Sequence, residues 1–263
     1  MIRVMVCGAY GKMGREVLRA VYNDEQLSVV GAADVNSDFC DVGDLIGEGK
    51  TGIVVGDNLQ SVIDETKPQV MVDFTNPQSV MENIQTAIRN GVCPVVGTTG
   101  ISEANINELR EQCKKAKVNA LISPNFSVGA ILLMKLAQEA AKYFPQVEII
   151  DLHHDQKLDA PSGTAIRMAE LITQQRGYLR QGNPDEVEKL EGARGCELSG
   201  IRLHSVRLPG CVAHHEVIFG GLGQTLTIRH DSISRESFMP GVILACKKVL
   251  TVDGLVFGLE NIL

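Results

Sequence analysis

The chain has 263 residues, 44% of them hydrophobic and 22% charged, with no low-complexity block; this excludes intrinsic disorder and allows a large core in one or two domains. A net charge of -7, few aromatic residues and no Trp argue against binding to phosphate backbones or stacked bases, and small molecules are the expected partners. No apolar run approaches a membrane-spanning length, and the first, Ile2–Cys7, ends in a glycine turn where a signal peptide would continue, so a cytoplasmic location is expected.

Short β-rich runs then alternate with segments of helical period. The pattern predicts strands over 3–7, 28–33, 69–73, 94–96 and 120–123, with helices over 14–22, 58–65, 78–89 and 103–116, the last capped by Ser102. This is the signature of βαβ units wound into a doubly wound parallel sheet of Rossmann type, an α/β architecture. The texture changes after Pro124. A long helix is predicted over 128–143, a strand over 147–153, a helix over 164–175, a polar loop over 177–200, and period-two strands over 201–207, 216–219 and 225–230. That half reads as a second, α+β domain. A final helix over 235–250 has apolar residues at helical spacing and is expected to return to the first domain. The resulting division is 1–126, completed by 235–263, as a dinucleotide-binding domain and 127–234 as a substrate-binding and oligomerisation domain.

The first chemical signal is Gly8-Ala9-Tyr10-Gly11-Lys12-Met13-Gly14, which leaves a strand and opens a helix. Glycines there permit a tight turn and let a pyrophosphate reach backbone N–H groups at the positive end of the helix. Tyr10 occupies the place of the middle glycine in the simplest form of the motif. Asp34, about twenty residues further on at a strand end, is placed to accept hydrogen bonds from the adenosine ribose. No Arg or Lys follows Asp34 to receive a 2′-phosphate, which favours NAD, although Lys12 leaves NADP open. Two further turns at carboxyl ends of predicted strands, Gly97-Thr98-Thr99 and Ser123-Pro124-Asn125-Phe126, are expected at the nicotinamide half, because ligands bind outside that edge of a parallel sheet.

The second signal is the run from Asp151 to Ala165, which passes from a strand through a charged turn into a helix. Pro161, Ser162 and Gly163 suit a helix N-terminus, whose free N–H groups at Gly163 and Thr164 can hold a carboxylate. Lys157 adds a positive charge, and His153 and His154 can move protons near neutral pH. The pairs His153-His154 and His214-His215 also raise a metal site, but neighbouring side chains on a strand point to opposite faces and no further ligand recurs at chelating spacing, so none is expected. The seven cysteines are scattered, without C-x-x-C spacing, and read as reduced thiols.

The run His153-His154-x-x-Lys157-x-Asp159-Ala160-Pro161-Ser162-Gly163-Thr164, with Gly97-Thr98-Thr99, Pro124-Asn125-Phe126-Ser127 and Arg235-x-x-Phe238-x-x-Gly241 in order, resembles the dihydrodipicolinate reductases over nearly the whole length. The resemblance implies reduction of the cyclic dicarboxylate imine 4-hydroxy-tetrahydrodipicolinate to tetrahydrodipicolinate with loss of water, by NADH or NADPH, in a homotetramer of the diaminopimelate route to lysine. It implies His153 as proton donor or acceptor, Lys157 as proton donor, and His154, Gly163 and Thr164 as substrate ligands. Gly8, Ala9, Tyr10, Gly11, Lys12, Met13, Asp34, Gly97, Thr98, Thr99, Ser123, Pro124, Asn125 and Phe126 are implied as dinucleotide ligands. Asp151 stands where that pattern has Glu, and Asp155 and Gln156 replace basic residues, with Asp155 expected to damp the positive field. Two other classes fit parts of the chain: a semialdehyde-type dehydrogenase, which needs a nucleophilic cysteine over the nicotinamide, and a nucleotide-sensing module without turnover.

Overall fold

The computed structural model describes residues 1–263. Its elements in chain order are β1 (Ile2–Cys7), α1 (Lys12–Tyr22), β2 (Leu27–Ala33), α2 (Val42–Ile46), β3 (Val55–Gly56), α3 (Leu59–Thr66), β4 (Val70–Asp73), α4 (Val80–Arg89), β5 (Cys93–Val96), α5 (Glu103–Ala116) and β6 (Ala120–Ile122). There follow α6 (Val128–Ala140), β7 (Gln146–His153), α7 (Gly163–Arg176), β8 (Cys196–Leu198), β9 (Ile201–Arg207), β10 (Ala213–Gly221), β11 (Gln224–Ser232), α8 (Met239–Lys248) and β12 (Leu255–Phe257). Two compact units result, one of Met1–Val128 with Phe238–Leu263 and one of Gly129–Ser237.

The first unit holds a seven-stranded, wholly parallel sheet in the order β12-β6-β5-β4-β1-β2-β3. Helices cover both faces of such a sheet, so its central strands are apolar on consecutive residues: Val4, Met5 and Val6 in β1 and Val70, Met71 and Val72 in β4 are all fully buried. From β1 the chain steps outward through β2 and β3, then crosses to β4 on the other side. The switch point between β1 and β4 opens a crevice at the carboxyl ends of both strands. Two strands escape the sequence pattern. β3 and β12 have two and three residues, too few to show a period.

In the second unit the order is β11-β10-β7-β9-β8, with β7 and β9 parallel and the other pairs antiparallel. Alternate residues Val147, Ile149, Leu203, Val217 and Phe219 join Leu133, Ala137, Met168 and Ile172 of α6 and α7 in one core. The intervening residues, among them Glu148, Ile150, Leu152, His204, Val206 and Ile218, stay partly exposed on the other face. The stretch 177–200, expected to be a loop, contains β8. The helix expected over 235–250 is interrupted: a 3-10 turn spans Arg235–Phe238 and α8 starts afresh at Met239. Pro240 explains the break, because a residue without an N–H suits the first turn of a helix and not its interior.

Candidate functional site

In the first unit the turn after β1 is held by its own backbone. Gly8 has φ +80°, and Gly8 and Ala9 both donate N–H bonds to the Ala33 carbonyl, at 2.9 and 3.3 Å. A Cβ on Gly8 would strike the Phe74 carbonyl, and one on Gly14 would overlap the Gly8 carbonyl. These glycines therefore serve the packing of turn, strand and helix first. Tyr10 fits in place of a glycine because its hydroxyl bonds Asp38 and Cys40 while its N–H donates to Asp34 Oδ2 at 2.9 Å. Asp34 Oδ1 also accepts the Asn36 N–H at 3.0 Å, so the carboxylate is fixed at the crevice rim.

No side chain caps α1 at Gly11, which leaves its first-turn N–H groups for an external acceptor. A cavity of about 360 Å³ is lined by Gly8, Tyr10, Gly11, Asp34, Asn36 and Asp57, and an adjoining one of about 420 Å³ by Lys12, Met13, Thr98 and Thr99. Phe74 and Thr75 line both. Each lies within the size range of small-ligand sites. A carboxylate rim, an uncapped helix N-terminus and a second polar recess fit a nicotinamide dinucleotide, with Asp34 at the ribose and the start of α1 at the pyrophosphate.

Phe74, Thr75 and the residue beneath them, Asp73, were missed by the sequence reading. The signal is in the sequence: the turn at the carboxyl end of the strand predicted over 69–73 obeys the same rule as the other strand ends. Asp73 is fully buried and accepts four hydrogen bonds, from the Thr75 N–H and Oγ1 at 3.1 and 2.8 Å, Thr98 Oγ1 at 2.7 Å and Asn83 Nδ2 at 2.8 Å. It ties together the loops after β4 and β5. Ser123 and Phe126, expected as ligands, are buried instead: Ser123 Oγ bonds the Asn125 carbonyl at 2.6 Å and the Leu259 N–H at 3.2 Å, and Phe126 packs against Phe74 with ring centroids 5.8 Å apart. Asn125 Oδ1 caps Ser127 N at 2.8 Å, and neither Asn125 nor Pro124 lines the two cavities. The cysteine lining the first cavity is Cys7; burial, reinforced by Asp73 and Asp34, pushes its thiol well above the ordinary range, so it is no nucleophile.

In the second unit the helix-facing surface of the sheet turns polar at one end, where Asp151 and His153 of β7 neighbour Ser205 and Arg207 of β9 and His215 of β10. His153 is buried, with Nδ1 3.1 Å from Asp151 Oδ2. Burial opposes ionisation of Asp151, but bonds from His153 and Ser205 and the charge of Arg207 outweigh it and hold the carboxyl far below its usual range. The His153 ring meets His215 edge-on at 5.4 Å, and His215 Nε2 contacts Ser162 Oγ at 3.1 Å. Ser162 in turn caps α7 by accepting the Ala165 N–H at 3.2 Å. Gly163 is exposed and Thr164 half-buried at the start of that helix.

His154 is exposed and next to buried His153. Lys157 lies in the turn closed by its N–H to the His154 carbonyl at 3.2 Å, and its ammonium pairs with Asp159 at 2.6 Å. Asp155 is exposed and bonds Gln156, and the carboxylate paired with Lys157 is Asp159. Arg207 also donates to the Asp159 carbonyl at 2.8 Å, which ties the turn to the sheet. Asp151, Ser162, Ser205, Arg207 and His215 are the members of this cluster to which sequence assigned no role at the reaction centre. Four lie at alternate strand positions brought into register only by β7, β9 and β10.

Family models described as dihydrodipicolinate reductase, N-terminus and C-terminus, match residues 2–126 and 129–263. The chain is 56% identical over 263 residues to the 4-hydroxy-tetrahydrodipicolinate reductase of Desulfitobacterium hafniense, covering all of this chain and 98% of that one. It is 50% identical over 262 residues to the enzyme of the same name from Listeria monocytogenes, with full coverage of both. Among solved structures, the dipicolinate-bound dihydrodipicolinate reductase from Paenisporosarcina sp. TG-14 superposes with a TM-score of 0.89 at 46% identity, again over the whole of both chains. With its two units matched from end to end, this chain belongs to the dihydrodipicolinate reductase family.

Proposed function

We propose that the protein is an NAD(P)H-dependent 4-hydroxy-tetrahydrodipicolinate reductase, forming tetrahydrodipicolinate with loss of water on the diaminopimelate route to lysine. The observation that carries this reading is the His153–Asp151 pair beside the Ser162-capped start of α7, in a chain that also has a dinucleotide crevice. Residues 1–126 and 235–263 bind the dinucleotide, and 127–234 bind the substrate and form the subunit contacts. When bound, the reduced nicotinamide supplies the hydride.

The protein's own residues do the rest. Backbone N–H groups at Gly163 and Thr164 and the exposed imidazole of His154 hold the substrate carboxylates. Lys157 gives a proton to the departing hydroxyl or the ring nitrogen, and His153 donates or accepts at Nε2, since Nδ1 is engaged by Asp151. Gly8, Ala9, Tyr10, Gly11, Lys12 and Met13 shape the pyrophosphate turn and Asp34 holds the ribose. Gly97, Thr98 and Thr99, with the turn Ser123, Pro124, Asn125 and Phe126, serve the nicotinamide end of the dinucleotide. A homotetramer is the expectation for this family, and the partly exposed Ile150, Leu152, Val206 and Ile218 on the second sheet supply apolar area for it. No helix is long and apolar enough to cross a membrane, in keeping with a cytoplasmic enzyme.

Steady-state oxidation of NADH and NADPH with enzymatically generated cyclic substrate tests reaction, substrate and cofactor in one series. Absence of turnover with both cofactors overturns the reading. The buried, neutral Cys7 disfavours the semialdehyde-type alternative.

A further inference from the structure

We propose that Asp151 is a positioning residue that fixes the tautomer of His153, held for that task by Ser205 and Arg207, so that the reactive proton is carried at Nε2. The inference rests on the proton-transfer role proposed for His153. It starts from the period of the strand. Asp151 and His153 are two residues apart on β7 and so lie on one face, and the parallel neighbour β9 sets Ser205 beside Asp151 and Arg207 beside His153. The side chain of Asp151 is fully buried. A carboxylate in that position needs all its partners from the protein.

It has them. Oδ1 accepts the Ser205 hydroxyl at 2.5 Å, and Oδ2 lies 3.2 Å from the Arg207 guanidinium and 3.1 Å from His153 Nδ1. An ionised carboxylate can only accept, so Nδ1 must be the protonated nitrogen of the neutral ring, and Nε2 keeps the lone pair. When Nε2 is protonated as well, the negative charge of Asp151 faces the imidazolium directly. After the Nε2 proton passes to substrate, the ring returns to its neutral Nδ1–H form without rotating. The other groups against it do not compete for Nδ1: His215 on β10 presents a ring edge, and Ser162 is engaged by His215 and Ala165. Arg207, reaching also the Asp159 carbonyl, keeps Asp151 ionised and the Lys157 turn in place.

The test combines ¹⁵N-histidine spectra with kinetics. Of six histidines, His153 is assigned by its loss in His153→Gln. In the wild-type protein the neutral ring shows protonated Nδ1 and unprotonated Nε2; in Asp151→Asn the two tautomers mix. The same variant loses turnover roughly 100-fold or more, with KM for the dinucleotide unchanged, and Asp151→Glu, which keeps the charge, restores most of it. If Asp151→Asn fails to fold, Ser205→Ala, which removes one donor to Asp151 from an exposed strand position, carries the same readout with a smaller effect. An unaltered His153 tautomer in these variants overturns the proposal, as does a kcat equal to wild type in Asp151→Asn. Undiminished turnover in His153→Gln would overturn the role of His153 itself, while the spectra still report whether Asp151 sets the ring.

Discussion

Ser162 Oγ stands 3.1 Å from His215 Nε2 while accepting the Ala165 N–H, so one hydroxyl joins the cap of α7 to a buried imidazole. A hydroxyl has one proton and two lone pairs; with one lone pair taken by Ala165, it can serve either tautomer of the neutral His215 ring. Burial, followed by the proximity of His153, depresses the His215 pKa to about 4 from 6.5, against the opposing pull of Asp151.

The pH dependence of stability follows. Between about 6.5 and about 4 the unfolded chain binds a proton at His215 that the folded chain refuses, so stability falls as pH falls through that window, by ~3 kcal/mol. Asp151, also depressed, adds a further loss below its ordinary range. Urea midpoints at pH 7.5 and 4.5 should differ in that direction, and His215→Gln should flatten the difference. Parallel slopes in the two proteins would contradict the assignment.

Lys157→Ala should lower kcat by roughly 100-fold or more, the contribution of a placed proton donor, and leave dinucleotide binding unchanged. Fluorescence titration with NADH beside steady-state kinetics separates the two. Equal turnover in variant and wild type would refute the role given to Lys157 and favour a sensing module.

Asp34 is fixed by the N–H groups of Tyr10 and Asn36 at the edge of a cavity that no Lys or Arg lines, and Lys12 lines the adjoining recess instead. Asp34→Ala should weaken NADH binding roughly tenfold and NADPH binding less, narrowing the preference between them. Equal losses for both dinucleotides would mean that Asp34 acts on the turn alone.

Gly14→Ala drives a methyl group into the Gly8 carbonyl, a backbone group that cannot rotate away. The expected cost is ~1–3 kcal/mol, with a lower Tm in calorimetry. A Tm equal to that of the wild type would show that the turn yields.

Asp73→Ala leaves the donors of Thr75, Thr98 and Asn83 without their buried acceptor. A loss of ~3 kcal/mol or more is expected in denaturant unfolding, together with weaker dinucleotide binding, because the loops after β4 and β5 lose their common anchor. Unchanged affinity in a destabilised protein would limit Asp73 to folding.

The sequence by itself determined what depends on neighbours along the chain. Consecutive apolar residues mark β1, β4 and β5 because both sheet faces are covered; Ser102 and Ser162 mark helix starts because a hydroxyl reaches an N–H three residues on. The glycine turn and the run from His153 to Thr164 are continuous, so their chemistry was readable in order. Only the tertiary structure decided what depends on register between distant strands. β3 and β12 are too short to have a period, and the pairing of Asp151 with Ser205, of His153 with Arg207, and of His215 with Asp151 spans 54 to 64 residues. It also gave Lys157 a carboxylate partner, Asp159, and placed Asp155 on the surface beside Gln156. Spacing along a chain names the groups a site contains; the Ser205 and Arg207 contacts that hold Asp151 beside His153 come from a strand that arrives later.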